Sequence, residues 1–180
     1  AGIGYLPESR KEDGIILENS VKVNMTMAAL EKISNKAGLL FRNQEKAEVS
    51  RLIERLQTKT NGIDCKVADL SGGNQQKISL SKWLFAGNKI IILDEPTRGV
   101  DVNAKAEIYK IINDLTREGI AIVLITSELE EAIGLCDRII VLNKGTVTGT
   151  LNREEFSQEK LLNLSIGRFA SQNVKEYCIN

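Results

Sequence analysis

Histidine is absent from the chain. That removes the commonest general base and a common metal ligand, so any chemistry here must run on carboxylates or on a bound ion. Cysteine is scarce: Cys65, Cys136 and Cys178 are scattered, with no CxxC pair. An odd, unclustered set excludes a disulfide framework and a thiolate zinc cage, and it fits reduced thiols acting as small buried hydrophobes. No apolar run approaches the ~20 residues that a membrane-spanning helix needs, and no signal peptide opens the chain. Excess charge is missing too. Lys plus Arg number 24 and Asp plus Glu number 24, so no net field draws the chain to nucleic acid or to an anionic membrane.

What is present is a core. Apolar residues make up 42% of 180 residues, which suits one domain or a domain with a subdomain. Ala1–Leu6 reads as a short strand, and Pro7–Gly14 as a loop whose mixed charges, Arg10, Lys11, Glu12 and Asp13, are solvated. Helical spacing runs from about Val21 to Ser34 and again from about Gln44 to Gln57, before Asn61-Gly62 breaks the chain. A further helix carries Ile78, Leu80, Trp83, Leu84 and Phe85 and stops at Gly87. Trp83 reads there as a core residue.

The texture then changes. Ile90–Leu93, Ile120–Ile125 and Ile139–Leu142 are short runs rich in Ile and Val. They read as strands of one parallel sheet, buried on both faces, with a helix around Ala104–Leu115 between the first two. Asn143-Lys144-Gly145 reads as a tight turn into a strand at Thr146–Leu151, and Asn152 with Glu155 as a capping box for a last helix. The polar final dozen residues read as loose. The fold class expected is α/β with an α-helical insertion.

Two stretches carry chemistry. In Leu70–Lys77, LSGGNQQK, a serine and two glycines lead into a helix whose first backbone N–H groups are bare, an arrangement that can hold an anion. In Ile90–Asp101, IIILDEPTRGVD, a buried strand ends in adjacent carboxylates. Asp94 can hold Mg²⁺ through its water shell, and Glu95 can polarise a water for attack on a phosphate. Plain turn chemistry, with Asp101 as a helix N-cap, is the alternative. The two stretches together favour the chemical reading.

LSGGNQQK resembles the signature motif of ATP-binding cassette (ABC) ATPases. IIILDEPTRGVD resembles their Walker B strand, catalytic glutamate and D-loop, and Gly4-Tyr5-Leu6-Pro7-Glu8 their Q-loop. GIGYLPESRKEDG is similar to the second nucleotide-binding domain of bacterial sugar-importer ATPases of the ribose, xylose and galactose type. The resemblance covers Gly2 to about Leu164. It implies a P-loop NTPase-like core with a mostly parallel sheet, incomplete at the N-terminus, and an ABC helical subdomain. The implied parts are a Q-loop-like strand and loop over 1–20, the helical subdomain with the signature over 21–87, the ATPase core over 88–151, and a C-terminal helix and tail over 152–180.

It also implies roles. Ser71, Gly72 and Gly73, with Asn74 and Gln75 beside them, would bind the γ-phosphate of an ATP held mainly by a second cassette. Asp94 would serve Mg²⁺, Glu95 would activate the attacking water, and Asp101 would belong to the loop that couples the two sites. The helical part would face a membrane permease, with the loop around Arg10 and Lys11 near the contact, and a periplasmic or extracellular sugar-binding protein would act indirectly. The implied protein is cytoplasmic and peripheral at the inner face of the membrane, and couples ATP hydrolysis to carbohydrate uptake.

Three departures stand out. No GxxxxGK[ST] phosphate loop occurs in the sequence, so this polypeptide alone is expected to bind ATP weakly or not at all. Gly87-Asn88-Lys89 is the nearest fragment, and reads as a helix C-cap. Ser127 stands where most family members have histidine. It forms a sequence capping box with Glu130, alone or together with a polar contact to phosphate. Glu8 stands where the family has glutamine, either as a Mg²⁺ contact or as a solvated loop acid. Arg98 contacts phosphate or pairs with an acid. Two other classes stay open: a non-catalytic module that docks on a permease, and a soluble ABC ATPase of DNA repair or translation. Balanced charge argues against the latter and against a nucleic-acid partner.

Overall fold

The computed structural model describes residues 2–167; the polar tail and Cys178 lie outside them. The chain divides into two units, meeting between Ile125 and Thr126.

The first unit is built on a parallel three-stranded sheet in the order β1 (Ile3–Leu6), β2 (Ile90–Asp94), β3 (Ala121–Ile125). Ile3 pairs with Ile90 and Ile90 with Ala121; Leu6 pairs with Leu93 and Leu93 with Leu124. Side chains alternate across a strand, and the two faces have different fates. Leu6, Ile91 and Leu93 are buried. Gly4 lies so close to Trp83 that a Cβ there would meet the Trp83 Cβ at 2.8 Å. On the opposite face Ile3, Tyr5, Ile90, Val123 and Ile125 stay exposed. The expectation of strands buried on both faces is therefore corrected: within this unit one face is covered and the other is bare. The covering comes from α3 (Gly72–Ala86) and α4 (Val102–Arg117). Leu80 of α3 and Ile108 and Ile112 of α4 line one common space with Leu6 and Leu93.

The helical part packs α1 (Val21–Thr26), α2 (Arg42–Arg55) and α3 around Val21, Met25, Ile33, Val49, Leu52, Val67, Ile78 and Phe85. The helix expected over Val21–Ser34 stops at Thr26. The one Thr26 hydroxyl proton is shared between Lys22 O (2.9 Å) and the buried Glu45 Oε1 (3.0 Å), and the backbone leaves the helix at Ala29, φ −154°. Local hydroxyl bonds of this kind compete with helix propagation. A 3-10 turn over Leu30–Ile33 follows. Helix α2 starts two residues earlier than its spacing predicts and ends at Arg55, with Gln57 left-handed at φ 51°. Gly87, φ 75°, ends α3 as expected.

The second unit holds α5 (Leu129–Leu135), β4 (Arg138–Asn143), β5 (Thr146–Asn152) and α6 (Gln158–Ser165). The third apolar run does not join the parallel sheet. It forms an antiparallel hairpin with β5, closed by Lys144 (φ 49°) and Gly145 (φ 79°), a two-residue turn with both residues left-handed. Its apolar run hides this, since Ile140 and Leu142 remain exposed while Ile139 joins Leu151, Leu161 and Leu164 in a small core. The Asn152–Glu155 capping box is present but closes a 3-10 turn over Arg153–Glu155. Helix α6 is capped instead by Ser157, whose hydroxyl accepts from Lys160 N (3.2 Å). The Ser127–Glu130 box is not what starts α5. Thr126 Oγ1 accepts from Glu128 N (3.0 Å) and donates to Glu131 Oε2 (2.7 Å), so Glu128 takes the N-cap position. Cys65 and Cys136 are half-buried free thiols rather than fully buried ones.

Candidate functional site

Asp94 is the last residue of β2, and Tyr5 from the neighbouring strand donates its hydroxyl to Asp94 Oδ2 at 2.8 Å. That bond, ahead of desolvation, pushes the Tyr5 phenol above its ordinary value, because losing the proton would set two anions against each other. Glu95 follows in the left-handed region at φ 45°. A residue with a Cβ held there costs about 1 kcal/mol or more. The conformation is held on both sides: Glu95 N donates to Ile125 O (2.9 Å), and Glu95 O accepts from Arg98 N (3.0 Å). The chain thus turns sharply at the strand's carboxyl end, where open α/β sheets bind ligands. Gly99, φ 68°, completes the turn. Asp101 then caps α4, its carboxylate accepting from Ala104 N at 2.9 Å.

Among the described residues no cluster of three or more His, Cys, Asp or Glu side chains is set to hold a metal ion. The carboxylates at the strand end are Asp94 and its neighbour Glu95, and a site of one or two carboxylates is the kind that Mg²⁺ takes when waters and substrate phosphates supply the rest.

The helix start has its own geometry. Ser71 occupies the N-cap of α3 at φ −62°, ψ 157°, and no side chain caps the first amides. Asn74 Nδ2 donates to Ser71 Oγ (2.9 Å), while Asn74 Oδ1 accepts from Lys59 N (2.8 Å); Asn74 therefore fixes the serine side chain. Both glycines admit close neighbours. A Cβ on Gly72 would meet Arg10 Nη2 at 2.7 Å and Gly99 O at 3.3 Å, and one on Gly73 would meet Ala104 Cβ at 2.5 Å. Gln75, counted with the phosphate contacts on resemblance, serves the interior. It is buried, and its amide donates to Val67 O and Leu70 O, both at 3.2 Å.

Glu8 and Arg98 form an ion pair with each other, so Arg98 has an acid partner. Arg10 is not solvated as its mixed-charge neighbours suggest: it donates to Arg98 O (3.0 Å) and Gly99 O (3.4 Å) and reaches Gln75 Oε1 (3.5 Å). Tyr5 and Lys77 are residues to which sequence reasoning gave no role of their own; Tyr5 holds Asp94, and the Lys77 ammonium on α3 pairs with Glu107. For Lys77 a signal existed, because it shares a helix face with Gly73 and Leu80. Ser127 belongs to the second unit, two residues after β3 ends.

Comparison with known proteins gives the family and the fold. A family model described as "ABC transporter" matches residues 3–98. The chain is 48% identical over 166 residues to the ribose import ATP-binding protein RbsA 3 of Rhizobium meliloti, spanning 92% of this chain and 33% of the relative. It is 50% identical over 163 residues to the L-arabinose transport ATP-binding protein AraG of Geobacillus stearothermophilus, spanning 91% of this chain and 32% of the relative. The chain thus covers about a third of the length of these curated relatives. Among solved structures, the ADP- and phosphate-bound dimer of the cassette MJ0796 superposes with TM-score 0.71 at 20% identity, covering 86% of this chain and 64% of that one. A putative metal-chelate type transporter gives 0.75 at 19% identity, covering 91% and 64%. At such identities the structural likeness speaks for the fold.

Proposed function

Because the chain belongs to the ABC transporter family, we propose that it is part of the ATP-binding and ATP-hydrolysing subunit of a bacterial sugar importer, coupling hydrolysis to carbohydrate uptake. The observation that carries the reading is the end of β2. An aspartate held by Tyr5 is followed by a glutamate in a strained left-handed turn, at the sheet end where substrates of this architecture bind. The sugar-import names of the relatives support the substrate class.

In this reading Asp94 holds Mg²⁺, which neutralises phosphate charge when bound. Glu95 accepts the proton of the attacking water. The uncapped amides of Gly72 and Gly73, with Ser71 steadied by Asn74, meet the γ-phosphate of an ATP held mainly by a second cassette. The turn at Asp101 couples the two sites, Ser127 adds a polar contact to phosphate, and Glu8, paired with Arg98, would lie beside the metal. The sequence contains no GxxxxGK[ST] motif, so the cradle for the β- and γ-phosphates comes from outside these residues. This reading keeps the parts that the resemblance implies, 1–20, 21–87, 88–151 and 152–180, as its working division. The protein works at the cytoplasmic face of the membrane against permease subunits, served indirectly by a sugar-binding protein.

Docking on a permease has support of its own. Leu39, Leu40 and Phe41 stand consecutively exposed, Leu39 at 67%. Asn35 Oδ1 accepts from Ala37 N (2.9 Å) and Leu39 N (3.0 Å) and so holds them on a defined turn. Apolar side chains held in water by a rigid turn mark an interaction surface.

The test is turnover in a cassette completed with a phosphate-loop segment and a partner. Glu95→Gln should lower ATP hydrolysis by about 100-fold or more, the usual range for a general base, with Mg²⁺–ATP still bound. Equal rates would remove Glu95 from the mechanism. Tight calorimetric binding of Mg²⁺–ATP by the 180-residue chain alone would overturn the inference about the cradle.

A further inference from the structure

The segment Arg10–Gly14 forms one π-helical turn between the strand that carries Tyr5 and the helical part. It is fastened at both ends. At its far end the buried Lys82 ammonium of α3 donates to Gly14 O at 2.7 Å. Gly14 itself sits so close to α3 that a Cβ would meet Ser79 Oγ at 2.9 Å. At its near end the Arg10 guanidinium makes the three contacts given above: two with the carbonyls of the turn after the carboxylates, one with Gln75 in the first turn of α3.

This placement opposes simple electrostatics. A cation beside the N-terminal end of a helix faces the positive end of the macrodipole. Arg10 nonetheless lies against Gly72, at a distance that only a residue without a Cβ permits. The carbonyls of Arg98 and Gly99 offset the repulsion. A planar fork with five donors can serve acceptors on two elements at once; an ammonium on a flexible stem cannot hold the same set.

We propose that Arg10 is a positioning residue that ties the Arg98–Gly99 turn to the open end of α3, so that two half-sites serving different nucleotides move as one body. The proposal rests on the ATPase reading for the identity of the half-sites: Asp94 and Glu95 act on one nucleotide, and the start of α3 completes the site of another. Arg10 contacts the turn that follows the carboxylates and the first turn of α3. The same turn joins the Glu8 loop to them, since Glu8 pairs with Arg98. A displacement of Arg10–Gly14 therefore reaches both half-sites together.

The test uses the 180-residue chain without nucleotide, read residue by residue by amide hydrogen exchange. The reporters are the amides of Arg98 and Val100, bonded to Glu95 O and Thr97 O, and of Gln75, bonded to Ser71 O. Arg10→Met should accelerate exchange at all three by about 10-fold, the low end of what losing one charge-assisted hydrogen bond costs. The β2 amides of Ile91–Leu93 should be unchanged. Arg10→Lys should restore the turn reporters or the helix reporter, not both. Gly72→Ala, whose new Cβ displaces the guanidinium while leaving its charge, should reproduce the Arg10→Met pattern in a milder form. Acceleration on one side only, uniform acceleration through the unit, or full rescue by Arg10→Lys would each overturn the proposal. No turnover enters this measurement, so its failure leaves the role of Glu95 standing. Failure of the Glu95→Gln test leaves the Arg10 tie standing as a feature of the fold.

Discussion

Removing Glu107 should destabilise the first unit more than removing the lysine it pairs with. Lys77 lies in the middle of α3 with a side chain only 2% exposed, while the Glu107 carboxylate on α4 is 43% exposed. The ammonium donates to Glu107 Oε2 at 2.7 Å and to Gln57 O at 2.9 Å. Gln57 is left-handed, two residues past the end of α2, so the cation also sits where that helix presents its negative end. Glu107→Ala strands a buried ammonium with one neutral carbonyl. Breaking a fully buried pair this way costs about 3–5 kcal/mol; water reaches the Glu107 side, so ~2–3 kcal/mol is expected. Lys77→Met keeps the stem and deletes the charge. It forfeits a charge-assisted bond to Gln57 O, ~1–3 kcal/mol, and is relieved of burying an ion at all, so the net loss should be about 1 kcal/mol or less. The double variant should resemble Lys77→Met, with a coupling of about 2 kcal/mol. Urea unfolding followed by the fluorescence of Trp83, the only tryptophan and on the same helix, reads this unit directly. A Lys77→Met variant less stable than Glu107→Ala, or additive losses in the double variant, would refute the reasoning.

Three further outcomes follow from the same geometry. Gly73→Ala should cost ~1–3 kcal/mol by overpacking against Ala104, where the added Cβ would lie 2.5 Å from its neighbour; Ala104→Gly should restore much of the loss in thermal melts, and failure of that rescue would relocate the cause. Glu95→Gly relieves the left-handed turn but loosens the unfolded chain and gives up the contacts of the glutamate, so stability should change by less than ~1 kcal/mol while turnover in a completed cassette falls about 100-fold or more; a loss above ~2 kcal/mol would show that the side chain and not the backbone holds the turn. The pH dependence has a definite sign. The Lys77 hydrogen bond holds the Glu107 carboxyl below its ordinary value of 4.5, so its contribution is present above that pH and lost as pH falls through the lower, folded value. Unfolding midpoints measured from pH 6 to pH 3.5 should fall less steeply in Glu107→Gln than in the unaltered chain.

Where the sequence was legible, the information was local. The Ile and Val runs located the strands, Gly87 the end of α3, Asn143-Lys144-Gly145 the turn, and LSGGNQQK an uncapped helix start. Each depends on a few adjacent residues. What escaped depends on partners distant in the chain. The early stop of α1 needs Glu45, nineteen residues beyond Thr26. The fixed position of Arg10 depends on carbonyls at Arg98 and Gly99. The bare face of the sheet escaped for a different reason: Ile90–Leu93 is apolar at every position, so period-two alternation carries no information about which side is covered. The same blindness let Ile139–Leu142 pass for a strand of the parallel sheet, although a partner two residues away closes a hairpin with far less chain entropy than a crossover requires. At the candidate site the acids were legible as a pair. The left-handed backbone of Glu95 and the Tyr5–Asp94 bond were not, since both are set by neighbouring strands.

The glycines of the signature stretch show how far a motif alone can be pressed. Read in isolation, two glycines at a helix start suggest backbone laid bare for an anion. In the fold each has a neighbour that explains it without any ligand: Ala104 of α4 against Gly73, and the Arg10 guanidinium against Gly72. The small size of the glycines therefore says nothing about phosphate. The N-cap does: no side chain takes the first amides of α3, and Asn74 turns its own amide to the serine hydroxyl instead. An asparagine at that position could have closed the helix end. Here it bonds Ser71 and the Lys59 amide, and the amides ahead of it stay uncapped. Packing determines that these residues are glycines, and the missing cap determines that the helix end stays open. The two constraints act on different atoms of the same turn. Gly73→Ala should therefore fail through stability, and a substitution that supplied a cap to α3 should fail through phosphate binding with the fold intact.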